Sequence, residues 1–422
     1  MHHFAYRAGH LYCEDVALEA IASAIGTPVY VYSAATLERH LAVFRAAFSP
    51  RDIDIAFAVK ANANVAVLAT LAAAGAGADT VSAGEIARAL KAGIPASRMI
   101  FSGVGKTKQE LQYALGVGIG QINVESHAEL EMLAELAQAS GAKPQIAVRV
   151  NPDIAAGTHD KITTGAAENK FGVPVADALA LYAQASQSPH LNPVGLAVHI
   201  GSQIKDLSPL RSAFLRLREM TMELRTAGYT VTRLDLGGGL GVPYQAEHDP
   251  PTPAAYAAVV ENTLGDLDVL FSFEPGRLIA GNAGILLTRV IRHQPRPNRD
   301  IIVLDAGMND LIRPAMYEAF HELIPVKEPK GAARQSFDLV GPVCETGDTF
   351  AKNRLLPPMD AGDLAVFMTA GAYGATMSST YNGRALVPEV LVNGDQFAVV
   401  RDRIDIEQQL SHERLPPWMK AG

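Results

Sequence analysis

The chain has 422 residues, of which 48% are hydrophobic and 19% are charged, values typical of a globular protein large enough for two domains or for one barrel with an addition. A net charge of −8 argues against a nucleic-acid-binding protein, because such proteins usually carry a basic patch. The sequence has no apolar run long enough to span a bilayer, and residues 1–7 lack the apolar core of a secretion signal, so we expect neither feature. It has only two cysteines, Cys13 and Cys344, so we expect a cytoplasmic protein without disulfides.

The N-terminal region contains short strand-like runs and then a helix. The runs are Phe4–Tyr6, Leu11–Cys13 and Thr27–Ser33, and helical spacing covers Ala34–Phe48. These early strands have no evident partner in the segments that follow them directly.

The next run, Ile53–Lys60, predicts a strand that ends on a lysine. Apolar residues alternate with smaller or polar residues along it, which is the period of a β-strand. A lysine at the end of a buried strand ordinarily forms an ion pair or extends its amine to solvent. The alternative is a lysine that forms a Schiff base with a cofactor, for which partial burial lowers the pKa of the amine.

Seven further strand-like runs follow, separated by segments rich in Ala, Leu and Glu. The runs are Ala78–Ser82, Met99–Gly103, Ile122–Glu125, Gln145–Val150, Val194–Ile200, Leu234–Gly238 and Leu270–Glu274. The intervening segments have helical spacing, as in Ala83–Ala92 and Ser126–Ser140, and Gly and Pro residues end them. Strands that alternate with helices predict parallel βαβ units, and eight units over about 240 residues predict a (β/α)8 barrel.

Polar residues occur where these strands end. They are Lys60, Ser82, Ser102, Glu125, Arg149, His199, the Gly237–Gly239 run and Glu274. The carboxyl ends of barrel strands all face one side, and that side carries the active site in this fold. Several polar residues on one face are harder to explain as chance than one residue would be, so the sequence predicts an active site there.

After residue 283 the pattern changes to strand-like runs separated by Gly, Pro and Asp. The runs are Ile301–Asp305, Phe337–Val340, Leu364–Phe367 and Val387–Val400. No regular helices are predicted between them, so the sequence predicts a second, mainly β domain. We place the barrel at residues 34–282 and the β domain at 1–33 and 283–422.

Three features of the predicted barrel mouth suggest a site for a phosphorylated ring. Gly237-Gly-Gly239 is either a tight turn or a backbone cradle for an anion, to which Ser202 would add a hydroxyl group. Glu274 and Arg277 either form an internal ion pair or bind a protonated ring nitrogen and an anion. His199 is either an ordinary core histidine or a residue that stacks on a flat ring.

The β domain adds further residues whose side chains are candidates for catalysis or substrate binding. Cys344 and Glu345 lack the other ligands of a zinc site, and we predict no metal. Tyr373 lies in a glycine-framed turn, and Arg313 and Tyr317 are candidates for binding a substrate anion. Together with the barrel-mouth lysine, these residues suit pyridoxal 5'-phosphate as the cofactor.

The chain resembles the fold-type-III pyridoxal phosphate-dependent decarboxylases from Pro28 to Gly374, most closely the branch that converts meso-2,6-diaminopimelate to L-lysine and CO2. The motifs that carry the resemblance are Ala58–Asn62, Phe101–Lys106, Arg149–Pro152, Asn169–Gly172, His199–Gln203, Asp235–Gly239, Glu274–Arg277 and Cys344-Glu345. The resemblance implies a barrel plus a β domain, as in alanine racemase, with the N-terminal strands in the β domain.

The resemblance also implies a role for each candidate residue. Lys60 would bind the cofactor covalently, His199 would stack on its ring and Glu274 would hold its ring nitrogen protonated. The residues implied around the phosphate are Ser202, Gly238, Gly239, Gly276, Arg277 and Tyr373. Those implied for the substrate are Arg277, Arg313, Tyr317, Glu345 and Tyr373, with Cys344 as the proton donor after decarboxylation. Asp79, Glu85 and Arg149 would support the lysine and the ring.

In this family the active site is shared in a homodimer, so Cys344 and Glu345 would come from the partner subunit. The alternatives are decarboxylases of the same fold that act on ornithine, arginine or a carboxylated polyamine, a racemase, and a non-catalytic cofactor carrier. A substrate without a distal amino-acid head has less use for Arg313, Tyr317 and Glu345. A carrier has no need for the second domain or for Cys344.

Overall fold

The structure is a computed structural model that describes residues 2–155, 164–165, 168–245, 249–297 and 299–419. The chain forms two compact units. Met1–Thr36 and Asn282–Gly422 make up one, called here the β unit, and Leu37–Gly281 make up the other, called the barrel unit. Among the described residues, no helix combines the length and the apolarity needed to cross a membrane.

The β unit begins with a small antiparallel sheet. Its strands are β1 (Phe4–Arg7), β2 (His10–Cys13) and β3 (Val16–Ala17), followed by helix α1 (Leu18–Ile25) and strand β4 (Val29–Ser33). Leu11 and Cys13 alternate with exposed or half-buried residues, so one face of the small sheet packs into the core of the unit.

The described residues of the barrel unit form nine strands. They are β5 (Ile53–Ala58), β6 (Gly77–Thr80), β7 (Met99–Phe101), β8 (Gln121–Val124), β9 (Gln145–Asn151), β10 (Val173–Pro174), β11 (Asn192–Val198), β12 (Arg233–Asp235) and β13 (Leu270–Phe273). All except the two-residue β10 form a closed parallel barrel in the order β5-β6-β7-β8-β9-β11-β12-β13, and β13 pairs back with β5. The predicted eight-stranded barrel is therefore confirmed.

A helix precedes the barrel, and another follows each barrel strand. The helices are α2 (Ala34–Ala46), α3 (Val65–Ala73), α4 (Ala83–Lys91), α5 (Lys108–Val117), α6 (His127–Ser140), α7 (Val175–Gln187), α8 (Ser208–Thr226), α9 (Pro253–Leu264) and α10 (Arg277–Ala280). Ser82, Thr107 and Ser126 cap the first turns of α4, α5 and α6 by accepting hydrogen bonds from backbone N–H groups that the helices leave unpaired.

Aromatic residues fix the barrel where its last strand meets the helices. The ring of Phe273 in β13 lies 4.5 Å from that of Phe48, 5.5 Å from that of Phe44 and 5.9 Å from that of Tyr256. All four side chains are buried. Because large rings contribute much of the buried apolar area, this cluster holds α2 and α9 against the strand that carries Glu274 at its end.

The C-terminal part of the β unit is a second sheet with short helices. Its elements are β14 (Gly284–Gln294), β15 (Asp300–Leu304), α11 (Arg313–Tyr317), β16 (Leu323–Pro325), β17 (Gln335–Val340), β18 (Thr349–Leu356), β19 (Leu364–Phe367), β20 (Glu389–Asn393), β21 (Gln396–Arg401) and α12 (Ile406–Leu410). The main strand order is β18-β17-β15-β14-β4-β20-β21, so strand β4 from the start of the chain lies between β14 and β20. The mainly β domain predicted from the sequence is confirmed.

Several strand ends differ from those predicted. Strand β5 stops at Ala58, and Lys60 lies in a single 3-10 turn, Val59–Ala61, instead of closing the strand. The predicted run Leu234–Gly238 is only the three-residue β12, since positive φ angles at Gly237 and Gly239 take the chain out of the extended conformation. The eleven-residue β14 was not predicted, and the single predicted run Val387–Val400 is the hairpin of β20 and β21.

Candidate active site

The carboxyl ends of the barrel strands bring several predicted residues to one face, and Lys60 is among them. Its Nζ donates a hydrogen bond of 2.8 Å to Oδ2 of Asp79, which lies in β6. The Lys60 side chain is 36% exposed, whereas that of Asp79 is fully buried. The amine therefore combines access to solvent with a fixed anionic partner. The ordinary ion pair considered for this lysine is present, and it also holds the amine in place.

Glu85, in the first turn of α4, is a second acid near the lysine. It accepts a hydrogen bond of 2.8 Å from the backbone N–H of Val81. Burial raises the pKa of Glu85 to about 7, and the negative charge of Asp79 adds to the shift, while the Val81 N–H and Lys60 oppose it. The carboxyl group therefore changes charge near neutral pH.

His199 follows β11 and is held as a neutral ring. Its Nδ1 accepts a hydrogen bond of 3.2 Å from the N–H of Gly238, which places the ring proton on Nε2. Burial lowers the pKa of His199 well below its usual value, and the charges of Arg149 and Lys60 lower it further. A neutral, half-buried and oriented imidazole is suited to stacking against a flat ring.

The glycine run after β12 packs too closely against its neighbours for any side chain. A Cβ atom on Gly238 would lie 2.3 Å from the carbonyl oxygen of Glu274, and one on Gly239 would lie 2.3 Å from that of Gly201. Gly237 has a φ of +63°, and its N–H donates a hydrogen bond of 3.0 Å to Oδ1 of Asp235. The close contact brings the loops after β11, β12 and β13 together.

Arg277 at the start of α10 is buried beside this loop. Its guanidinium donates two hydrogen bonds to Oγ of Ser202, of 3.2 and 3.1 Å, and one of 2.6 Å to the hydroxyl of Tyr244. The sequence predicted Ser202 and Arg277 but missed Tyr244, which follows the glycine run by a few residues and carries no motif of its own. Gly276 lets the chain before α10 approach Ala61 closely, since a Cβ there would lie 2.9 Å from that of Ala61.

Glu274 is buried at the end of β13 within a polar cluster. Ser102 donates a hydrogen bond of 3.3 Å to Oε1 of Glu274, and Asn123 Nδ2 lies 3.4 Å from the same atom. The same amide donates a hydrogen bond of 2.9 Å to Oδ2 of Asp235. Burial raises the pKa of Glu274 well above its usual value, and the negative charges of Asp235 and Asp79 contribute to the shift while Lys60 opposes it.

Arg149 in β9 is paired with Glu125 after β8. The Arg149 guanidinium donates a hydrogen bond of 2.8 Å to Oε1 of Glu125. Glu125 also accepts hydrogen bonds from the backbone N–H groups of Gly103, at 2.7 Å, and Gly172, at 3.1 Å. One carboxylate therefore joins three loops at the carboxyl face of the barrel.

The remaining predicted residues belong to the β unit. Arg313 is buried at the start of α11, and its guanidinium donates a hydrogen bond of 2.8 Å to His321, which in turn contacts the carbonyl oxygen of Met368 at 2.9 Å. Tyr317 ends the same helix and is half-buried. Tyr373 adopts a φ of +57°, so its turn holds the side chain in an uncommon backbone conformation.

Cys344 and Glu345 lie on an exposed turn of the β unit. The backbone N–H of Cys344 donates a hydrogen bond of 2.8 Å to the side chain of Asn382. The side chain of Glu345 hydrogen-bonds to Tyr381 and so raises the pKa of that phenol. Asp348 is buried below the turn and accepts hydrogen bonds of 2.6 Å from Val343 and from Met308. Hydrogen bonds thus fix the backbone of the turn, and the side chains of Cys344 and Glu345 are exposed.

The barrel residues fit pyridoxal phosphate in three respects. An accessible lysine amine is held beside a buried carboxylate, and a second buried carboxyl group, Glu274, is available for a ring nitrogen. A buried arginine and a serine hydroxyl lie next to a glycine loop, where a phosphate would find donors. Within the described ranges, no group of three or more His, Cys, Asp or Glu side chains is arranged to hold a metal ion.

Comparison with known proteins places the chain in a family. Residues 34–281 match the model of the pyridoxal-dependent decarboxylase family, pyridoxal binding domain. The diaminopimelate decarboxylase of Zymomonas mobilis is 46% identical over 420 residues, which cover 99% of each chain. That of Pseudomonas fluorescens is also 46% identical, over 98% of this chain and 99% of the relative.

Solved structures agree with this relationship. The diaminopimelate decarboxylase of Helicobacter pylori, complexed with L-lysine, superposes with a TM-score of 0.90 at 39% identity and covers 93% of this chain and 98% of its own. The enzyme from M. jannaschii, also in complex with L-lysine, has a TM-score of 0.94 at 32% identity and covers 99% of this chain and 98% of its own. The chain therefore belongs to the pyridoxal-dependent decarboxylase family and, within it, to the diaminopimelate decarboxylases.

Proposed function

We propose that the protein decarboxylates meso-2,6-diaminopimelate to L-lysine and CO2 with pyridoxal 5'-phosphate as its cofactor. The observation that carries the proposal is the convergence of Lys60, Glu274 and Arg277 at one face of a closed barrel, each with a fixed hydrogen-bond partner. The two relatives with solved complexes are named diaminopimelate decarboxylases and contain L-lysine, the expected product.

In this proposal the barrel residues hold the cofactor. Lys60 binds it covalently, His199 stacks on its ring, and Glu274 lies at its ring nitrogen. Ser202, Gly238, Gly239, Gly276 and Arg277 surround its phosphate. When bound, the cofactor supplies an electron-withdrawing ring that takes up the electron pair left behind as a carboxylate departs as CO2.

Two acids lie near the amine of Lys60. Asp79 keeps the amine in place by a direct hydrogen bond, and Glu85 adds a carboxyl group that titrates near neutral pH. Burial keeps His199 uncharged, with the positive charge of Arg149 as a second cause, and Glu125 holds Arg149 itself in place. A neutral histidine presents an unchanged ring face to the cofactor over the whole physiological pH range.

We further propose that residues of the β unit recognise the substrate. Arg313, Tyr317 and Glu345 bind the distal carboxylate and ammonium groups, whereas Arg277 and Tyr373 contact both substrate and phosphate. Cys344 donates the proton that replaces the lost carboxylate. Its exposed position on a rigid turn, next to Glu345, suits a group that is offered to a partner subunit.

The protein is accordingly proposed to be a homodimer with shared active sites, located in the cytoplasm. The cytoplasmic location rests on the two cysteines, both of which are free thiols. The β domain, as predicted from the sequence at residues 1–33 and 283–422, is proposed to contribute to the substrate site and to the dimer interface.

Product analysis by mass spectrometry tests the reaction. The purified protein with pyridoxal phosphate is incubated separately with meso-diaminopimelate, ornithine, arginine and a carboxylated polyamine. We expect L-lysine and one equivalent of CO2 from the first and little turnover of the others. A preference for ornithine or arginine would refute the substrate assignment, and cofactor binding without turnover of any amino acid would point to a carrier.

A further inference from the structure

Behind the proposed ring-nitrogen carboxyl group of Glu274 lies a second buried acid, Asp235, at the end of β12. Both side chains are buried, and the amide nitrogen of Asn123 lies within reach of both, 2.9 Å from Oδ2 of Asp235 and 3.4 Å from Oε1 of Glu274. Two ionised carboxylates held around one amide in the protein interior repel each other and lose their hydration, so one of the two is expected to carry a proton.

The donors around the pair show which member holds the negative charge in this structure. Asp235 accepts a hydrogen bond on each oxygen, from the N–H of Gly237 at 3.0 Å and from the amide of Asn123 at 2.9 Å. Among the residues that the structure describes, Glu274 accepts the longer contacts from Ser102, at 3.3 Å, and from Asn123, at 3.4 Å. Hydrogen bonds to a charged group favour the charged form, so the charge lies on Asp235 and the proton on Glu274.

The orientation of Asn123 is itself fixed. Gln121, two residues earlier in β8, donates a hydrogen bond of 2.8 Å to the Asn123 side-chain oxygen, so the Asn123 amide nitrogen has to face the acids. Buried polar groups of this kind are stable only when all their partners are in place. A fixed hydrogen-bond network of the barrel therefore holds the two acids in place.

We propose that Asp235 is a positioning residue for Glu274, and that the two carboxyl groups share one proton and act as a single monoanion facing the cofactor ring nitrogen. The inference rests on the proposed role of Glu274. The pair can shift its negative charge from one carboxyl group to the other without a change in net charge. A single positive ring nitrogen is thereby matched by one negative charge, although two acids are buried behind it.

The groups that face the pair are consistent with a single negative charge. Asp79 raises the pKa values of both acids and Lys60 opposes this at Glu274, but these two residues already form an ion pair with each other. Tyr256 on α9 also lies within reach of the charge of Asp235, but burial raises the pKa of its phenol far above neutrality, so it stays uncharged. None of these neighbours offers a second carboxylate a positive charge that is not already paired, which is why the two acids are expected to retain one proton.

Infrared spectroscopy of the cofactor-loaded protein tests the shared proton directly. A protonated carboxyl group has a carbonyl stretching band that a carboxylate lacks, and difference spectra between wild type and variants isolate the band of this pair. We expect the band in wild type at neutral pH and its loss both in Asp235→Asn and in Glu274→Gln, because either change removes one of the two groups that share the proton. Asp54→Asn is the matched control, since Asp54 lies at the start of β5, 3.5 Å from Arg233, and should leave the band unchanged.

Retention of the cofactor provides a second measurement. Asp235→Asn keeps a hydrogen-bond donor behind Glu274 and should keep the dissociation constant of pyridoxal phosphate within about threefold of wild type, whereas Asp235→Ala should raise it at least tenfold, or about 1.4 kcal/mol. A protonated-carboxyl band that persists in Asp235→Asn would overturn the proposal, as would equal affinity of the Asp235→Ala variant and wild type. If the band disappears in both variants but Glu274→Gln binds the cofactor as tightly as wild type, the shared proton stands and the assigned role of Glu274 fails.

Discussion

The amine of Lys60 lies 2.8 Å from a fully buried carboxylate, and its covalent role can be tested by removing it. After borohydride reduction, wild type should gain the mass of one reduced cofactor per chain, located on the peptide that contains Lys60. Lys60→Ala should gain none, because the amine that is paired with the buried carboxylate of Asp79 is then missing. Intact-protein and peptide mass spectrometry provide the measurement.

Lys91→Ala serves as the control for that experiment. Lys91 ends helix α4 and is exposed, so its loss should leave the labelling unchanged. Labelling of Lys60→Ala at the wild-type level would mean that another residue binds the cofactor.

Glu85 gives a prediction about the pH dependence of stability. Burial raises its pKa from 4.5 to about 7, so between these values the folded protein binds more protons than the unfolded chain. The stabilising contribution of the protonated group is therefore fully present below pH 4.5 and is lost as the pH rises through about 7. Over that range the free energy of unfolding of wild type should fall by up to about 3 kcal/mol relative to Glu85→Gln, at 1.36 kcal/mol per pKa unit.

Urea denaturation of wild type and Glu85→Gln at a series of pH values measures this difference. Glu131→Gln, an exposed position on α6, is the control and should track wild type at every pH. A Glu85→Gln protein whose stability runs parallel to that of wild type from acid to neutral pH would show that Glu85 titrates normally.

At the scale of elements, Glu125 connects the ends of separate barrel segments. Its carboxylate holds Arg149 and the backbone N–H groups of Gly103 and Gly172. Glu125→Gln would leave the buried guanidinium of Arg149 without its negative partner, and losing one member of a buried ion pair costs about 3–5 kcal/mol. We expect a loss of this order in the free energy of unfolding, measured by urea denaturation.

The double variant Glu125→Gln/Arg149→Gln separates the charge from the packing. Removing both charges should recover part of the lost stability, since no unpaired charge then remains buried. If the double variant is less stable than Glu125→Gln alone, the unpaired charge of Arg149 is not the cause of the loss.

The elements that sequence periodicity predicted are those in which local pattern and tertiary packing agree. The barrel strands are short and apolar, and polar or glycine residues follow them, so their number and the functional face could be predicted. The ends of the strands were predicted less accurately. The strand before Lys60 ends at Ala58, whose N–H donates a hydrogen bond to the carbonyl oxygen of Pro275, and a partner so distant in sequence leaves no local pattern. The partnership of Asn123 with Asp235 spans 112 residues and leaves no local pattern.

For the whole molecule, the proposed sharing of active sites predicts complementation between inactive variants. If Lys60 and Cys344 of one site come from different subunits, a mixed dimer of Lys60→Ala and Cys344→Ala has one site with both changes and one with neither. Random exchange makes half of the dimers mixed, so activity should return to about a quarter of wild type. Steady-state assays after subunit exchange provide the measurement.

Subunit exchange has to be demonstrated separately in that experiment, for example with differently tagged chains. Mixing Lys60→Ala with itself under the same conditions is the control and should stay inactive. Exchange without any recovery of activity would place Lys60 and Cys344 of each site in one chain, and the shared-site model would be wrong.

The position of β4 between β14 and β20 has a consequence for synthesis on the ribosome. Strand β4 ends at Ser33, whereas β20 starts at Glu389. Roughly 350 further residues therefore have to be synthesised after β4 before its last partner strand exists. At about 5–20 residues per second this takes tens of seconds, during which the barrel segment can fold as a unit while β4 has unpaired edges. An unpaired, apolar strand is a site for aggregation. Slow translation of the C-terminal third therefore lengthens the time during which the nascent chain needs protection by chaperones.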